Sequence, residues 1–74
     1  MQNLIESYKR QYKNALLTLE RLENQKEQIN HKLKLDPVST YLLKDLRDIN
    51  LDIKITVNEI EHVESYLNPN EVEI

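Results

Sequence analysis

Apolar side chains recur along this chain at steps of three and four. In the first half they are Ile5, Tyr8, Tyr12, Ala15, Leu19, Leu22, Ile29 and Leu33, with Lys26 standing in the one gap; in the second they are Leu42, Leu46, Ile49, Ile53, Thr56, Ile60, Val63 and Leu67. Alternating steps of three and four give a period of 3.5, which draws one continuous stripe down an α-helix and defines heptads with core positions a and d. Ile5, Tyr12, Leu19, Lys26 and Leu33 take position a in the first helix, and Tyr8, Ala15, Leu22 and Ile29 take position d. The spacing predicts one helix over residues 3–34, a turn over 35–37, a second helix over 37–67 and a frayed acidic tail over 68–74.

The boundaries follow from local chemistry. Asn3 with Glu6 forms a variant of the capping box, and Lys32 and Lys34 suit the negative end of the first helix. Pro37 lacks an amide donor and pushes Asp36 out of helical geometry, so the first helix cannot run through it. Asp36 is the expected N-cap of the second helix with Pro37 as its first residue, and Ser39 or Thr40 is the competing cap. Asn68-Pro69-Asn70 is the expected stop. Between Leu51 and Val57 a β-branched alternation imitates a strand, but no second alternating run exists to pair with it, and the helical stripe continues in phase through Ile53 and Ile60.

The two stripes fit one hairpin. If the chain reverses near residue 36, facing residues have numbers that add to 71 or 72, which pairs Ile29 with Leu42, Lys26 with Leu46, Leu22 with Ile49, Leu19 with Ile53, Ala15 with Thr56, Tyr12 with Ile60, Tyr8 with Val63 and Ile5 with Leu67. The two smallest seam residues, Ala15 and Thr56, fall in one layer. Charges flank the same register: Lys9 faces Glu64, and on the same side lie Lys13 with Glu61, Glu20 with Lys54, and Glu27 with Arg47. The last three pairs sit farther from the seam and are placed to bridge between molecules. The predicted class is therefore all-α, an antiparallel two-helix coiled-coil hairpin.

One seam does not use all the apolar residues. Leu16, Leu43 and Val57 widen it on one flank, while Leu17, Leu51 and Ile55 point away from it. Several such residues on so small a hairpin predict a second helix layer, most simply a homodimeric four-helix bundle, or a dock for an unidentified protein partner. These six are the candidate partner-binding residues. Lys26, the one charge in the seam, is expected to lay its stem over Leu46 and Ile49 with its ammonium at Asp45 or water, and polar residues at position a also fix register.

Composition narrows the function. A chain of 74 residues buries too little to be robust alone. Residues 1–35 carry seven basic side chains against four acids, and residues 36–74 carry three against nine, so the halves are +3 and −6 within a net charge of −3. Such halves neutralise each other on folding, which disfavours nucleic acid as a partner. There is no cysteine and no glycine, which removes disulfides, Cys-based metal sites and Gly-dependent phosphate loops. No apolar run reaches bilayer length and no basic-then-apolar leader opens the chain, so the reading is cytoplasmic, without membrane.

His31 and His62 lie on outer faces without a ligand partner at helical spacing, Glu59, Glu61, His62 and Glu64 read as a solvated face, and no serine has a base beside it. No metal, cofactor or catalytic residue is expected. The stretch Lys44-Asp45-Leu46-Arg47-Asp48 lacks the Ser-Gln-Glu-Leu-Asp signature of the helical-hairpin aspartyl-phosphate phosphatases, so that family's chemistry is not carried over. In composition the chain is similar to small proteins of low-GC bacteria and their phages. The expected function is that of a non-catalytic regulatory protein that self-associates and binds another protein. The alternatives are a nucleic-acid-binding regulator using Lys9, Arg10, Lys13 and Arg21, and a small phosphatase of a signalling protein working through Asp45 or Asp48.

Overall fold

The computed structural model describes residues 4–67. Within them the chain forms two helices, α1 (Leu4–Leu35) and α2 (Thr40–Glu64), packed against each other along their length, with no strand among the described residues. The segment of alternating residues between Leu51 and Val57 is helical throughout. The expected Asn3 cap, the Asn68-Pro69-Asn70 stop and the acidic tail lie outside the described residues.

The reversal differs from expectation in one respect. Asp36 does not cap α2. Its amide still donates to the Lys32 carbonyl at 3.0 Å, which makes Asp36 the closing residue of α1, and its own carbonyl accepts the Ser39 amide at 3.3 Å. Asp36 to Ser39 is thus a β-turn with Pro37 at its second position, where the fixed proline φ is already correct. Ser39 is the N-cap: its extended backbone (φ −69°, ψ 112°) places the hydroxyl to accept the Leu42 amide at 3.1 Å, and its carbonyl accepts the first helical bond from Leu43 at 3.0 Å. α2 consequently begins at Thr40, three residues after the expected start. It also ends earlier than expected, at Glu64, where the Ser65 amide donates back to Glu61 and the Ser65 hydroxyl donates to the His62 carbonyl at 2.6 Å.

Burial follows the heptad stripe. Every predicted seam residue except Ile5 is buried or half-buried, and Ile5 lies at the open end of the hairpin, where fewer neighbours cover it. The largest cluster sits toward that end: Tyr12, Ala15, Ile60, Val63 and Leu67, with Tyr8 and Leu19 packed on it. Leu22 and Leu42 extend the buried line toward the turn. Thr56 is the one buried polar side chain among the described residues, and it is satisfied by donating its hydroxyl to the Asp52 carbonyl one turn back at 2.9 Å. That bond explains how a threonine can occupy a seam position opposite Ala15 without an orphaned hydroxyl.

The molecule is a rod of 53 × 18 × 17 Å with a radius of gyration of 16.0 Å, against about 11 Å for a compact domain of this length. Among the described residues the two helices lie side by side with no third layer over their outer faces.

Candidate interaction surface

Two side-chain bonds between the helices mark the opposite flanks of the seam. Gln11 and Glu59 each precede an a residue, placing them at position g, and the Gln11 amide donates to Glu59 at 3.4 Å. Glu64 follows a d residue, at position e, and accepts the Tyr12 hydroxyl at 2.9 Å. In an antiparallel pair g meets g and e meets e, so these bonds fix which residues share each flank.

The g flank is polar and grooved. One open groove of about 330 Å³ is lined by Gln25, Gln28, Ile29, Lys32, Asp45, Asp48 and Ile49, and another of about 320 Å³ by Ser7, Arg10, Gln11, Asn14, Ala15, Thr18 and Glu59. Amides, a lysine and carboxylates line the first, an arrangement that can hydrogen-bond a polar chain. Among the described residues no group of three or more His, Asp or Glu is placed to hold a metal ion, and no helix is long and apolar enough to cross a membrane.

The e flank is different. Leu16 and Val57 fall at the same level along the rod, with Leu43 nearer the turn; Val57 is half-buried, and Leu16 and Leu43 remain exposed. The other candidates lie on the outer faces, Leu17 on α1 and Leu51 with Ile55 one turn apart on α2. Leu51 is 57% exposed and Ile55 55%, far above any seam residue. The structure therefore sets Leu16 level with Val57 on one flank and Leu51 one turn from Ile55 on the outer face of α2, with Leu17 on the opposite edge of the rod from the latter pair.

Lys26 is half-buried in the seam and has no ion-pair partner among the described residues, so Asp45 does not receive its ammonium. The Lys9 to Glu64 pair expected across the hairpin does not close either, and within the hairpin Lys13, Glu20 and Glu27 make no ion pair with Glu61, Lys54 and Arg47. The one ion pair among the described residues is Lys44 to Asp48 at 2.9 Å, one turn apart on α2, and it holds the Lys44 ammonium above its usual pKa. Glu64, expected to face Lys9, instead accepts from Tyr12. A buried neutral donor at the seam competes well with an exposed lysine, whose ion pair contributes on the order of 0.2–1 kcal/mol against the entropy of fixing a long side chain.

That bond has a pH signature. The hydrogen bond to Glu64, then burial, then the Glu64 charge all raise the Tyr12 phenol above its ordinary 10.0. Because the folded value is the higher one, the unfolded chain releases this proton first, and the bond's contribution to stability is full below pH 10.0 and lost as pH rises through the folded value. Melting followed against pH should show the native chain losing stability above that point more steeply than a Tyr12→Phe variant, and equal slopes would mean the bond is not formed in solution.

Some exposed features escaped the heptad reading. Tyr66 stacks on Tyr8 with ring centroids 4.9 Å apart and takes His62 edge-on at 5.0 Å, forming an aromatic column at the open end. At the turn, Leu35, Val38 and Tyr41 are all well exposed. They recur every three residues around Pro37, a spacing that carries a signal once the seam residues are set aside.

Comparison with known proteins gives no match: no protein-family model, no curated protein and no solved structure is significantly similar to this chain.

Proposed function

We propose that the chain is a non-catalytic interaction protein of the cytoplasm, a hairpin that self-associates into a four-helix bundle and binds another protein to modulate it. The observation that carries this reading is the set of large apolar side chains left in water on faces the seam does not use: Leu16, Leu17, Leu43, Leu51 and Ile55. A rod with seven buried apolar residues among those described draws little stability from its own core, and covering a second face with helices supplies what is missing. Each exposed leucine or isoleucine gains on the order of 1.5–3 kcal/mol on full burial, so even partial coverage outweighs the exposed ion pairs this surface could otherwise offer.

The outer face of α2 has the character of a partner surface. Leu51 and Ile55 are bordered within one turn by Asp48, Asp52 and Glu59 and also by Arg47 and Lys54, an apolar pair inside a rim of both signs. A helix with apolar residues and flanking charges of both signs is its complement.

The double change Leu51→Lys with Ile55→Glu tests this face. It should leave helicity largely intact, because neither residue closes the hairpin, while abolishing association with the partner protein retained by the native chain from a lysate of its own cell. A double variant that unfolds would place these residues in a core, and one that stays folded and retains the same partner would move the binding surface elsewhere.

A further inference from the structure

The e flank carries a charge pattern that one hairpin does not satisfy. Beside Leu16 and Val57, the next residues outward on that flank are Lys13, Glu20 and Glu27 on α1 and Glu61, Lys54 and Arg47 on α2, all of them exposed. Within one hairpin they lie level with each other, yet none is ion-paired in the described structure, because these positions splay apart on either side of the seam. Along this face α1 carries Lys9 and Lys13 and then Glu20, Glu23 and Glu27, between Glu6 and Lys34 at its two ends, while α2 runs from Arg47 and Lys54 near the turn to Glu61 and Glu64 near the open end.

We infer that the e flank is the face on which a second copy of this chain packs, with both turns at the same end, so that α1 of each copy lies against α2 of the other. This rests on the self-association proposed above and assigns it a surface and an orientation. In that arrangement Lys13 meets Glu61 of the partner subunit, Glu20 meets Lys54 of the partner subunit, and Glu27 meets Arg47 of the partner subunit. All three pairs have numbers adding to 74, so one register satisfies them together without sliding the hairpins. The two-fold axis doubles them to six, and Leu16 meets Val57 of the partner subunit at the centre, with Leu43 covered nearer the turn.

The opposite orientation, turn against open end, also places Lys13 near the partner's Glu20 and Lys54 near the partner's Glu61. It sets Glu6 against Glu27 of the partner subunit, however, a like-charge contact, and leaves Leu43 beyond the overlap. The g flank offers no comparable pattern, since α1 presents mainly uncharged Gln11, Thr18 and Gln25 there and α2 presents Asp45, Asp52 and Glu59. A face of 53 × 18 Å exceeds the roughly 800 Å² per partner that a standard interface buries. Two-fold packing on this face leaves Leu51 and Ile55 outward and sets the two apolar turns side by side.

Charge exchange between copies tests the arrangement. Glu20→Lys alone places lysine against Lys54 of the partner subunit twice per dimer, and Lys54→Glu alone places two glutamates together, so each variant should weaken its own dimer about tenfold by sedimentation equilibrium. Mixed, the two variants should form a heterodimer of native affinity, since both contacts are then opposite in sign. Failure of the mixture to recover, with each variant still helical, overturns this orientation.

Because the chain has no cysteine, a second readout is clean. Leu16→Cys mixed with Val57→Cys should give a disulfide-linked heterodimer, while either variant alone should not cross-link. Cross-linking of Leu16→Cys to itself establishes the opposite orientation and overturns the proposal. A native chain that is dimeric but indifferent to all four variants removes this face while leaving self-association standing, whereas a monomeric native chain removes both.

Discussion

Val63→Asp should abolish the folded hairpin. Val63 is fully enclosed, with 0% of its surface exposed, within the cluster of Tyr12, Ala15, Ile60 and Leu67. A carboxylate forced into that position finds no basic partner in the cluster, and burying it unpaired costs several kcal/mol. Small domains hold about 0.05–0.15 kcal/mol per residue in all, so a loss of that size removes most or all of the stability of a 74-residue chain. The variant should show a weak, non-cooperative far-ultraviolet dichroism signal. Val38→Asp, at the exposed turn, should melt as the native chain does, within about 0.5 kcal/mol. Equal melting of the two aspartate variants would mean that the seam is not the core.

Leu22→Ala should be the most damaging truncation on α1. Leu22 is buried near the middle of the helix, and its register partner is Ile49, so the lost side chain leaves a void that two stiff helices cannot collapse around. The expected loss is about 2–5 kcal/mol, which in a domain of this size lowers the melting midpoint by roughly 4–8 °C for each kcal/mol. Leu19→Ala should cost less, because Leu19 is half-buried and already shares its surface with water. A larger effect at Leu19 than at Leu22 would mean that position a, and not position d, carries the core in the middle of the rod.

The seam was legible because position in a heptad and burial are two expressions of one geometry. Tyr12, Ala15, Leu22, Leu42, Ile60 and Val63 are buried for the same reason that they stand three and four residues apart. The cap was less legible, since Asp36 and Ser39 are both good caps on either side of Pro37. What decided it was that a β-turn can begin at Asp36 with the proline in its preferred place, which then leaves Ser39 where α2 starts.

Side-chain partners were the least legible. Lys9 and Glu64 have the right spacing and charge, but the Glu64 carboxylate accepts from Tyr12, whose ring the seam already fixes. The Tyr8 to Tyr66 stack was hidden because Tyr66 belongs to a flank rather than to the apolar stripe. The exposed leucines were readable as a surplus, and their faces follow from helical spacing. Spacing gives the face a residue is on and carries no information on what covers that face.

Sedimentation equilibrium of the native chain over a wide concentration range tests most directly whether a second copy completes what one hairpin leaves exposed. The predicted result is a reversible equilibrium reaching twice the 8.9 kDa chain mass, accompanied by a melting midpoint that rises with protein concentration. A single 8.9 kDa species at every concentration, with a midpoint that does not move, would contradict it.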